Sequence, residues 1–462
     1  MALEIKIPSA LDQILRETPT LSESFLVGGC VRDALLGLPS KDIDIEVFGL
    51  SYDELLNTLK KWGRTDLVGR SFGVVKLTVE NGHTYDFTIP RRDSKVGDGH
   101  KGFAIEFDPS LTLQEAASRR DFTINSLMYD PRRCELLDFF GGEADLHNRI
   151  LRHTSPAFSE DPLRVLRGMQ FAGRFDFVGA PETLSLCRTM VDSYSELPLE
   201  RIEWEWVKWA AKSTKPSRGL QWLRDTGWMI HYPELTALTN TPQDAEWHPE
   251  GDVFTHTSHC CDALASMRDW QDAPEKDRVA YMLAMLTHDF GKPTTTVEVW
   301  QKGRQRITSP GHESAGVRLA ASFLERLHIP QAVRDRVLPL VANHMVTGDH
   351  WSDKAVRRLA RRLNPENIDG LCLIMTADAA GRPPLPPHLP KTVVELRRTA
   401  QKLAVHRGPP EPILLGRHLL EDGWTPSPQL GRALQLAYEA QLEGDFDNLE
   451  GAKQWISHRK IL

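Results

Sequence analysis

The 462-residue chain has few cysteines, no long apolar run and no excess of positive charge. Its six cysteines form no CxxC pair and no spacing typical of disulfides, which predicts a reducing compartment and argues against thiol chemistry. No segment approaches the ~18 consecutive apolar residues of a membrane span. Glu4 and Lys6 also place charge near the start of the chain. We therefore expect a soluble, cytoplasmic protein without membrane contact.

The formal net charge of −7 argues against bulk electrostatic attraction to nucleic acid, although it does not exclude a local basic surface. Arginines cluster at residues 91–92, 119–120 and 132–133, and in the helical run RRLARR at 357–362. Charge runs are more often solvated faces than binding surfaces, so each cluster alone predicts little.

The pattern of apolar residues divides the chain into a mixed α/β head and a helical body. Residues up to about 135 include the alternating stretch DIDIEVF and the segment FGVVKLTVENGHTYDFTI, which predicts a hairpin turning at Asn81-Gly82. From Ser155 onward the periodicity is helical. Proline and glycine mark joints at 240–251 and 381–390. The predicted domains are 1–135, 136–240, 241–380 and 381–462.

The stretch LVGGCVRDALLG predicts a strand, a tight turn and a helix. Gly28 and Gly29 fall at the turn, where backbone N–H groups and the positive end of the helix dipole favour phosphate. Arg32, one turn into the helix, would add a cation. A glycine pair by itself is equally typical of tight packing.

The alternating stretch that follows carries two acids on one face of a predicted strand. Asp42 and Asp44 share this face, whereas Ile43 and Ile45 point to the core. Two such carboxylates bind Mg²⁺ through oxygen atoms that substrate phosphates complete. The alternative is an amphipathic strand with acids facing water, but the preceding glycines and arginine favour nucleotidyl transfer. Asp86 is either a third carboxylate of this site or an exposed strand residue.

Five motifs in order resemble the class II tRNA nucleotidyltransferases, the CCA-adding enzymes of the polymerase-β-like superfamily. They are GGCVRD followed by DID, RRDFTINSL at 119–127, LLDFFGGEADLHNRILRH at 136–153, EDPLRVLRGMQFAGRF at 160–175 and ELPLERIEWEW at 196–206. The resemblance implies a polymerase-β-like head, CTP and ATP as substrates, and tRNA as the partner. The run RRLARR is a candidate tRNA contact.

The resemblance also assigns roles to individual residues. It gives Mg²⁺ binding and catalysis to Asp42 and Asp44. It gives nucleotide binding to Gly28, Gly29, Arg32, Arg120, Asp121, Asp161, Arg164 and Arg167. Many relatives with the same organisation have arginine where this chain has Gln170, so one nucleotide-contacting cation is expected to be missing.

The fourth motif can also be interpreted physically. Ser159 is predicted as a helix N-cap with Pro162 in the first turn, which places Asp161 and Arg164 on one helix face. The alternative is a surface ion pair. A carboxylate that accepts from a base amino group, beside a guanidinium that donates to a ring nitrogen, fits both cytosine and adenine. Uracil and guanine reverse this pattern and would leave charged groups unpaired, so they are rejected.

A second constellation lies between residues 245 and 380. It combines an adjacent His288-Asp289 pair with separated histidines at 256, 312 and 344. Neutral imidazoles and carboxylates together make a mixed nitrogen and oxygen site for divalent metal, which activates water against phosphate esters.

This pattern resembles the HD phosphohydrolase superfamily. The resemblance implies His256, His288, Asp289 and Asp378 as core metal ligands, and His312 with His344 as ligands for a second metal. The segment HPEGDVFTHT resembles multifunctional bacterial CCA enzymes, whose HD domain hydrolyses phosphomonoesters and 2′,3′-cyclic phosphates. The metal is an unidentified divalent ion, because such ligands suit Mn, Ni, Co or Mg.

Several alternatives share these motifs. A CC-only or A-only enzyme, or a poly(A) polymerase, has the same head. The segment 91–107 occupies the place of the family loop associated with the switch from C to A addition, and its presence favours full CCA addition. Other classes are an HD phosphohydrolase with an RNA-binding head and a non-catalytic RNA-binding scaffold. The sequence does not predict an oligomeric state.

Overall fold

The computed structural model describes residues 5–40, 42–66, 73–95, 103–301, 303–348 and 350–459. The chain divides into two units. The first comprises Met1–Trp209 with Arg218–His231, and the second comprises Ala210–Ser217 with Tyr232–Leu462. The two units are described separately below.

The first unit is built on a mixed sheet. Its described strands are β1 (Ser24–Val27), β2 (Asp44–Val47), β3 (Arg64–Asp66), β4 (Val74–Thr78), β5 (Thr84–Thr88), β6 (Arg91–Lys95), β7 (Phe103–Phe107), β8 (Met128–Asp130), β9 (Glu135–Leu137), β10 (Ile150–Leu151) and β11 (Val178–Gly179). Seven of these described strands form one sheet in the order β3-β4-β5-β2-β1-β8-β9. Strand β6 pairs with β7, and β10 pairs with β11. Strands β4 and β5 are antiparallel, which confirms the predicted hairpin.

Helices flank this sheet and continue the chain beyond it. They are α1 (Ser9–Glu17), α2 (Gly29–Leu35), α3 (Tyr52–Leu59), α4 (Leu113–Ser118), α5 (Gly142–Asn148), α6 (Leu163–Phe175), α7 (Pro181–Thr189), α8 (Leu199–Lys212) and α9 (Pro216–Asp225). Phe25 and Val27 of β1 pack with Ala116 of α4, so α4 covers one face of the sheet. The ring of Trp222 packs on α6 and donates from Nε1 to the Val165 carbonyl at 2.9 Å.

The second unit is mainly helical. Its helices are α10 (Pro233–Leu238), α11 (Val253–Ser266), α12 (Arg268–Gln271), α13 (Glu275–Thr287), α14 (Lys292–Thr295), α15 (His312–Arg326), α16 (Gln331–Asn343), α17 (Asp353–Leu363), α18 (Ile368–Ala380), α19 (Lys391–Lys402), α20 (Gly416–Glu421), α21 (Pro428–Glu443) and α22 (Leu449–Ser457). A hairpin of β12 (Val297–Gln301) and β13 (Arg304–Thr308) interrupts them. The mixed head and helical body are confirmed, whereas this hairpin was not predicted from the helical periodicity.

The most apolar helix of the second unit lies in its core. Most residues of α18 are buried, and its apolar residues occupy all sides of the helix rather than one stripe. Asp378 therefore places a charged side chain on a core helix. A buried charge of this kind needs polar partners around it. Within the described residues, no helix is both long and apolar enough to cross a membrane.

The arginine run at 357–362 has an intramolecular role. Arg357 donates from Nε to the Leu442 carbonyl at 3.0 Å, and Arg358 and Arg361 form ion pairs with glutamates of α21. These contacts hold α21 against α17. The sequence analysis proposes this run as a candidate tRNA contact. The observed contacts show that three of its arginines bind α21 of the same chain.

Two glycines of the motif at 136–153 have steric reasons to be glycine. Gly141 has φ +74°, a left-handed conformation that side chains rarely adopt. A Cβ atom at Gly142 would lie 2.2 Å from the backbone oxygen of Thr123. The close approach brings α5 against the turn that follows Asp121.

Gly142→Ala should therefore destabilise the first unit by about 1–3 kcal/mol, because a backbone carbonyl has to move. Differential scanning calorimetry should show a lower Tm. Gly431→Ala is the matched control, since Gly431 lies in α21 with open space at its Cβ position. Alanine should be neutral or stabilising there. Equal Tm shifts in the two variants would contradict the steric argument.

Candidate functional site

The carboxylates of the head gather at the start of β2. The strand begins at Asp44, and the exposed Asp42 lies two residues before it. Ile45 and Val47 are fully buried, as the alternating pattern predicts. Glu46 is also buried on the same strand, where it lies on the face of Asp44.

Asp86 lies directly beside Asp44. Strands β2 and β5 are parallel, and their register pairs these two residues, so both side chains point to the same face. Asp86 Oδ1 is 3.5 Å from Lys76 Nζ. The sequence left open whether Asp86 belongs to this site, and the register places it beside the site.

The electrostatics of this cluster favour a cation. Burial raises the pKa of Asp44, and Asp86, Asp42 and Glu46 add to this effect while Arg120 opposes it. Concentrated carboxylate charge of this kind is relieved by a divalent ion with oxygen ligands. The donor set therefore fits a hard divalent metal such as Mg²⁺.

The turn before α2 is lined by two guanidinium groups. Gly28 has φ +71°, and a Cβ atom there would lie 3.1 Å from Arg120 Nη1. A Cβ atom at Gly29 would lie 3.5 Å from Arg32 Nη2. Glycine at both positions therefore lets the two guanidinium groups lie close against the turn.

Arg32 is held firmly in place. Its Nε donates to Asp33 Oδ1 at 2.8 Å, and its Nη1 donates to Asn125 Oδ1 at 2.5 Å. The guanidinium also lies 4.6 Å from the ring centroid of Phe175. Only 4% of Arg32 is exposed, so it contributes positive charge from behind the turn.

Glu46 anchors the second motif and was missed by sequence reasoning. Arg119 donates from Nη2 to Glu46 Oε1 at 2.7 Å, and Arg120 Nη2 is 3.4 Å from Oε2. The signal was present in DIDIEVF, where Glu46 follows Asp44 on the same face. Its buried charge orients both arginines relative to β2.

Asp121 joins the second motif to α6. Its carboxylate accepts from Asn125 Nδ2 at 2.8 Å and from Arg167 Nε at 2.7 Å. Burial opposes ionisation, but the charge of Arg167 and these hydrogen bonds lower the pKa of Asp121 to about 2. The buried pair therefore ties Asp121 of the second motif to α6, the predicted base-binding helix that carries Arg167.

The structure corrects the predicted start of this helix. α6 begins at Leu163, and Ser159 lies in the 3₁₀ turn Pro156–Glu160, so Ser159 is not its N-cap. Asp161 is extended, with φ −118°, and its Oδ1 accepts from the backbone N–H of Leu163 at 3.1 Å. The reason is Pro162, which disfavours helical conformation in the residue before it. Asp161 and Arg164 therefore do not share a helix face.

Asp161 and Arg164 are held by different partners. Arg201 donates to both oxygens of Asp161, at 2.9 and 3.4 Å. Arg164 donates to the backbone oxygens of Ala157 and Arg119, each at 2.8 Å. The alternative of a surface ion pair between Asp161 and Arg164 is wrong. Arg201, in the motif at 196–206, was missed because sequence spacing does not reveal such a contact.

Two further predictions concern the neighbourhood of α6 and the loop. Gln170 is 2% exposed, and its Nε2 has no hydrogen-bond partner among the described residues. Gln170 therefore lies inside the first unit.

Strands β6 and β7 pair at the two ends of the predicted loop at 91–107, whereas residues 96–102 lie outside the described part of the chain.

The second unit brings all six predicted metal-binding residues together. His256 Nε2 is 3.1 Å from Asp378 Oδ1, and His288 Nε2 is 3.2 Å from Asp289 Oδ2. The other carboxylate oxygen of Asp289 lies 3.4 and 3.9 Å from the Nε2 atoms of the two further histidines, His312 and His344. All six side chains are buried.

Backbone carbonyls orient three of these imidazoles. The Nδ1 atoms of His288, His312 and His344 lie 2.7–2.8 Å from carbonyl oxygens three residues earlier in the chain. Since a carbonyl only accepts, each Nδ1 carries a proton and directs Nε2 towards Asp289. Burial lowers the pKa of His344 to about 3, so its Nε2 lone pair is available.

The donor set fits a divalent transition metal. His288 Nε2 is buried and has no hydrogen-bond partner in the described structure. Burial opposes ionisation of Asp289, but His288 and Lys292 hold its pKa well below the usual range. Neutral imidazole nitrogens and ionised carboxylates are the ligands such metals prefer.

Three groups of potential ligands have all their ligand atoms within 4.8 Å of one another among the described residues. The groups are His256, Cys260, His288 and Asp378; His248, Glu250 and His256; and Asp289, His312 and His344. Among the described residues, the carboxylates of the head form no such group. Within that part of the chain, preassembled metal ligands are therefore found in the second unit alone. Cys260 was missed by sequence reasoning, and burial raises the pKa of its thiol.

Glu250 was also missed. Its Oε1 lies 2.7 Å from His256 Nδ1 and 2.9 Å from His248 Nδ1. Burial opposes its ionisation, but hydrogen bonds from both histidines lower its pKa to about 2. A carboxylate on Nδ1 fixes the tautomer and orientation of a ligand histidine. The signal was the position of Glu250 only six residues before His256, within the HPEGDVFTHT segment.

Comparisons with known proteins match the two units of the chain to different domain families. A Poly A polymerase head domain model matches residues 24–152, and an HD domain model matches residues 256–379. A multifunctional CCA protein from Xanthomonas campestris pv. campestris (strain B100) is 37% identical over 426 residues, which are 89% of this chain and 96% of that relative. The chain belongs to the multifunctional CCA proteins.

Solved structures of lower identity share the fold. The Bacillus stearothermophilus CCA-adding enzyme in complex with CTP has a TM-score of 0.66 at 20% identity and covers 98% of both chains. The Thermotoga maritima CCA-adding enzyme complexed with tRNA has a TM-score of 0.59 at 17% identity and covers 99% of this chain and 97% of its own. The family membership makes the chain a tRNA nucleotidyltransferase with an HD domain. The nucleotidyltransferase and HD families both depend on divalent metal.

Replacing Arg201 tests whether it positions Asp161. Arg201→Met should lower kcat/KM for CTP and ATP about 10- to 100-fold, because charged hydrogen bonds contribute about 1.5–3 kcal/mol. Incorporation of UTP and GTP relative to CTP and ATP should rise. Arg188→Met is the control, since Arg188 is an exposed arginine of the same unit that donates to the Asp225 carbonyl. Unchanged base selectivity would contradict a positioning role.

Replacing Glu250 tests the metal cluster independently of catalysis. Glu250→Gln should weaken binding of Mn²⁺ or Ni²⁺ about 10- to 100-fold, because His256 loses its carboxylate partner. Isothermal titration with the metal salt measures the affinity. The control is Glu246→Gln, which removes a half-exposed carboxylate from the same segment that pairs with Arg306. The hypothesis fails if both variants bind metal equally.

Proposed function

We propose that this protein adds C, C and A to the 3′ end of tRNA from CTP and ATP, without a nucleic-acid template. The observation that carries the proposal is the separate anchoring of Asp161 and Arg164. Arg201 holds the carboxylate, and backbone carbonyls hold the guanidinium. An acceptor and a donor fixed in this way match the edges of cytosine and adenine.

The head residues would perform nucleotidyl transfer. Asp42 and Asp44 hold Mg²⁺, which when bound lowers the pKa of the RNA 3′ hydroxyl and neutralises the triphosphate. Arg32 and Arg120 supply positive charge beside the glycine turn, where the triphosphate lies. Asp86 adds a third carboxylate, and Asp121 contacts the ribose. The 3′ oxygen attacks the α-phosphorus, and pyrophosphate leaves.

Base selection follows from the cost of unpaired charge. Cytosine and adenine each donate an amino hydrogen to Asp161 and accept from Arg164. Uracil and guanine would place an acceptor against the carboxylate and a donor against the guanidinium. These bases would lose both hydrogen bonds and would set like partial charges against each other, so they would bind less well than cytosine and adenine.

The HD site would hydrolyse phosphomonoesters or 2′,3′-cyclic phosphates. His256, His288, Asp289 and Asp378 hold one divalent metal, and His312 with His344 a second. The metal supplies activated water when bound. The predicted domain limits remain part of this proposal, with the head at 1–135, the helical neck at 136–240, the HD domain at 241–380 and the tail at 381–462.

The central experiment gives the purified protein a tRNA that lacks its 3′ CCA, with CTP, ATP or both, and sequences the products. We expect C, C and A in order when both nucleotides are present. A stop after CC would identify a partial enzyme, and longer A tails would identify a poly(A) polymerase.

Two matched variants separate the activities. Asp44→Ala should abolish nucleotide incorporation but retain metal-dependent hydrolysis of a cyclic phosphate. His288→Ala should show the opposite pattern. Loss of both activities in either variant, with a normal Tm, would contradict two independent sites.

A further inference from the structure

A cysteine lies among the predicted metal ligands of the second unit. Cys260 follows His256 by one turn of α11, so the two side chains share a helix face. Its Sγ atom is 3.4 Å from His256 Nε2. The potential ligand atoms of Cys260, His256, His288 and Asp378 all lie within 4.8 Å of one another. The structure therefore adds a sulfur atom to a group of nitrogen and oxygen atoms.

The spacing of these atoms matches that of ligands on one metal ion. A divalent metal binds thiolate sulfur at ~2.3 Å and imidazole nitrogen at ~2.0–2.1 Å, so the two ligands are about 3.1–3.6 Å apart on an octahedral or tetrahedral ion. The distance of 3.4 Å from Cys260 Sγ to His256 Nε2 falls in this range. A nitrogen and an oxygen ligand are about 2.9–3.4 Å apart. His256 Nε2 and Asp378 Oδ1 are 3.1 Å apart.

His288 independently points to a ligand that the protein does not supply. Its side chain is 1% exposed, and its Nε2 has no hydrogen-bond partner among the described residues. Its Nδ1 is 2.7 Å from the Met285 carbonyl, which keeps the proton on Nδ1. Nε2 therefore carries a free lone pair within the same group of ligand atoms. Buried polar atoms are normally paired, and a bound metal ion would pair this one.

The end of α18 makes room for the thiol. Gly381 directly follows α18, and a Cβ atom there would lie 2.3 Å from Cys260 Sγ. The same sulfur is 3.8 Å from the backbone oxygen of Asp378. The thiol is thus enclosed between α11 and the helix that carries Asp378. Asp378 also lines a cavity of about 390 Å³, through which an ion can enter.

We propose that Cys260 is a metal ligand of the second unit, so that its sulfur binds the same ion as His256, His288 and Asp378. This inference rests on the proposed HD metal site and adds a ligand to it. When the metal–sulfur bond forms, the thiol proton leaves to solvent, and nothing is oxidised or reduced. A thiolate ligand favours Zn²⁺ or Co²⁺ over Mg²⁺ and Mn²⁺, which prefer oxygen ligands.

The test follows Co²⁺, because a cobalt–thiolate bond gives a near-ultraviolet charge-transfer band that nitrogen and oxygen ligands do not give. The full-length protein is stripped of metal with a chelator, and excess Mg²⁺ is added to occupy the head. Co²⁺ is then titrated in, and equilibrium dialysis measures the bound metal independently. We expect the band of the wild-type protein to grow and saturate with the bound Co²⁺.

Three cysteine variants locate the source of the band. Cys260→Ser should abolish it and weaken Co²⁺ binding at least about 10-fold, since changes even to the partners of metal ligands cost this much. Cys261→Ser is the matched control, because Cys261 is equally buried but belongs to no group of potential ligands among the described residues. Cys134→Ser removes an exposed cysteine. Both controls should keep the band and the affinity of the wild-type protein.

Two results would overturn the inference: Co²⁺ bound to the wild-type protein without the band, or a band that persists in Cys260→Ser. If the wild-type protein binds no Co²⁺ under these conditions, the proposed HD metal site itself fails. Should Cys260→Ser not fold, as its Tm would show, zinc X-ray absorption of the Cys134→Ser protein decides the question. A sulfur atom at ~2.3 Å from the zinc supports the ligand, and nitrogen and oxygen neighbours alone reject it.

Discussion

Both units depend on one constraint, which is that a carboxylate removed from water needs a positive partner. Glu46 meets this need through Arg119, and Asp121 meets it through Arg167. In the second unit, Asp289 lies against Lys292 and three imidazoles. These pairs fix the motifs relative to one another, so the residues proposed to bind substrate are held in place by ion pairs.

The two sites meet the constraint in different ways. The histidine cluster is preassembled, because backbone carbonyls and Glu250 orient its imidazoles before a metal binds. The head carboxylates are spread over β2 and β5, and burial raises the pKa of Asp44. The two sites therefore differ in how far their potential ligands are brought together before a metal binds.

Local pattern predicted much of this arrangement. Alternation placed Asp44 on the face of β2 opposite to Ile45 and Val47, and the Asn81-Gly82 turn predicted the hairpin that carries Asp86. Prediction failed where an outcome depended on a neighbour in sequence or a partner in space. Pro162 forced Asp161 into an extended conformation, and the partner of its carboxylate came from a residue 40 positions away, Arg201. Periodicity gives the faces of an element but not the contacts between elements.

The sequence by itself determined the family, the mixed head, the helical body and the residue types at both sites, because these follow from ordered motifs and local periodicity. Only the tertiary structure decided which partners hold these residues. It anchored Asp161 and Arg164 separately, placed Glu250 behind His256 and set Cys260 among the potential ligands of the metal cluster. The physical reason is that ion pairs, tautomers and cavities arise from contacts between distant segments, whose geometry is fixed only when the chain packs.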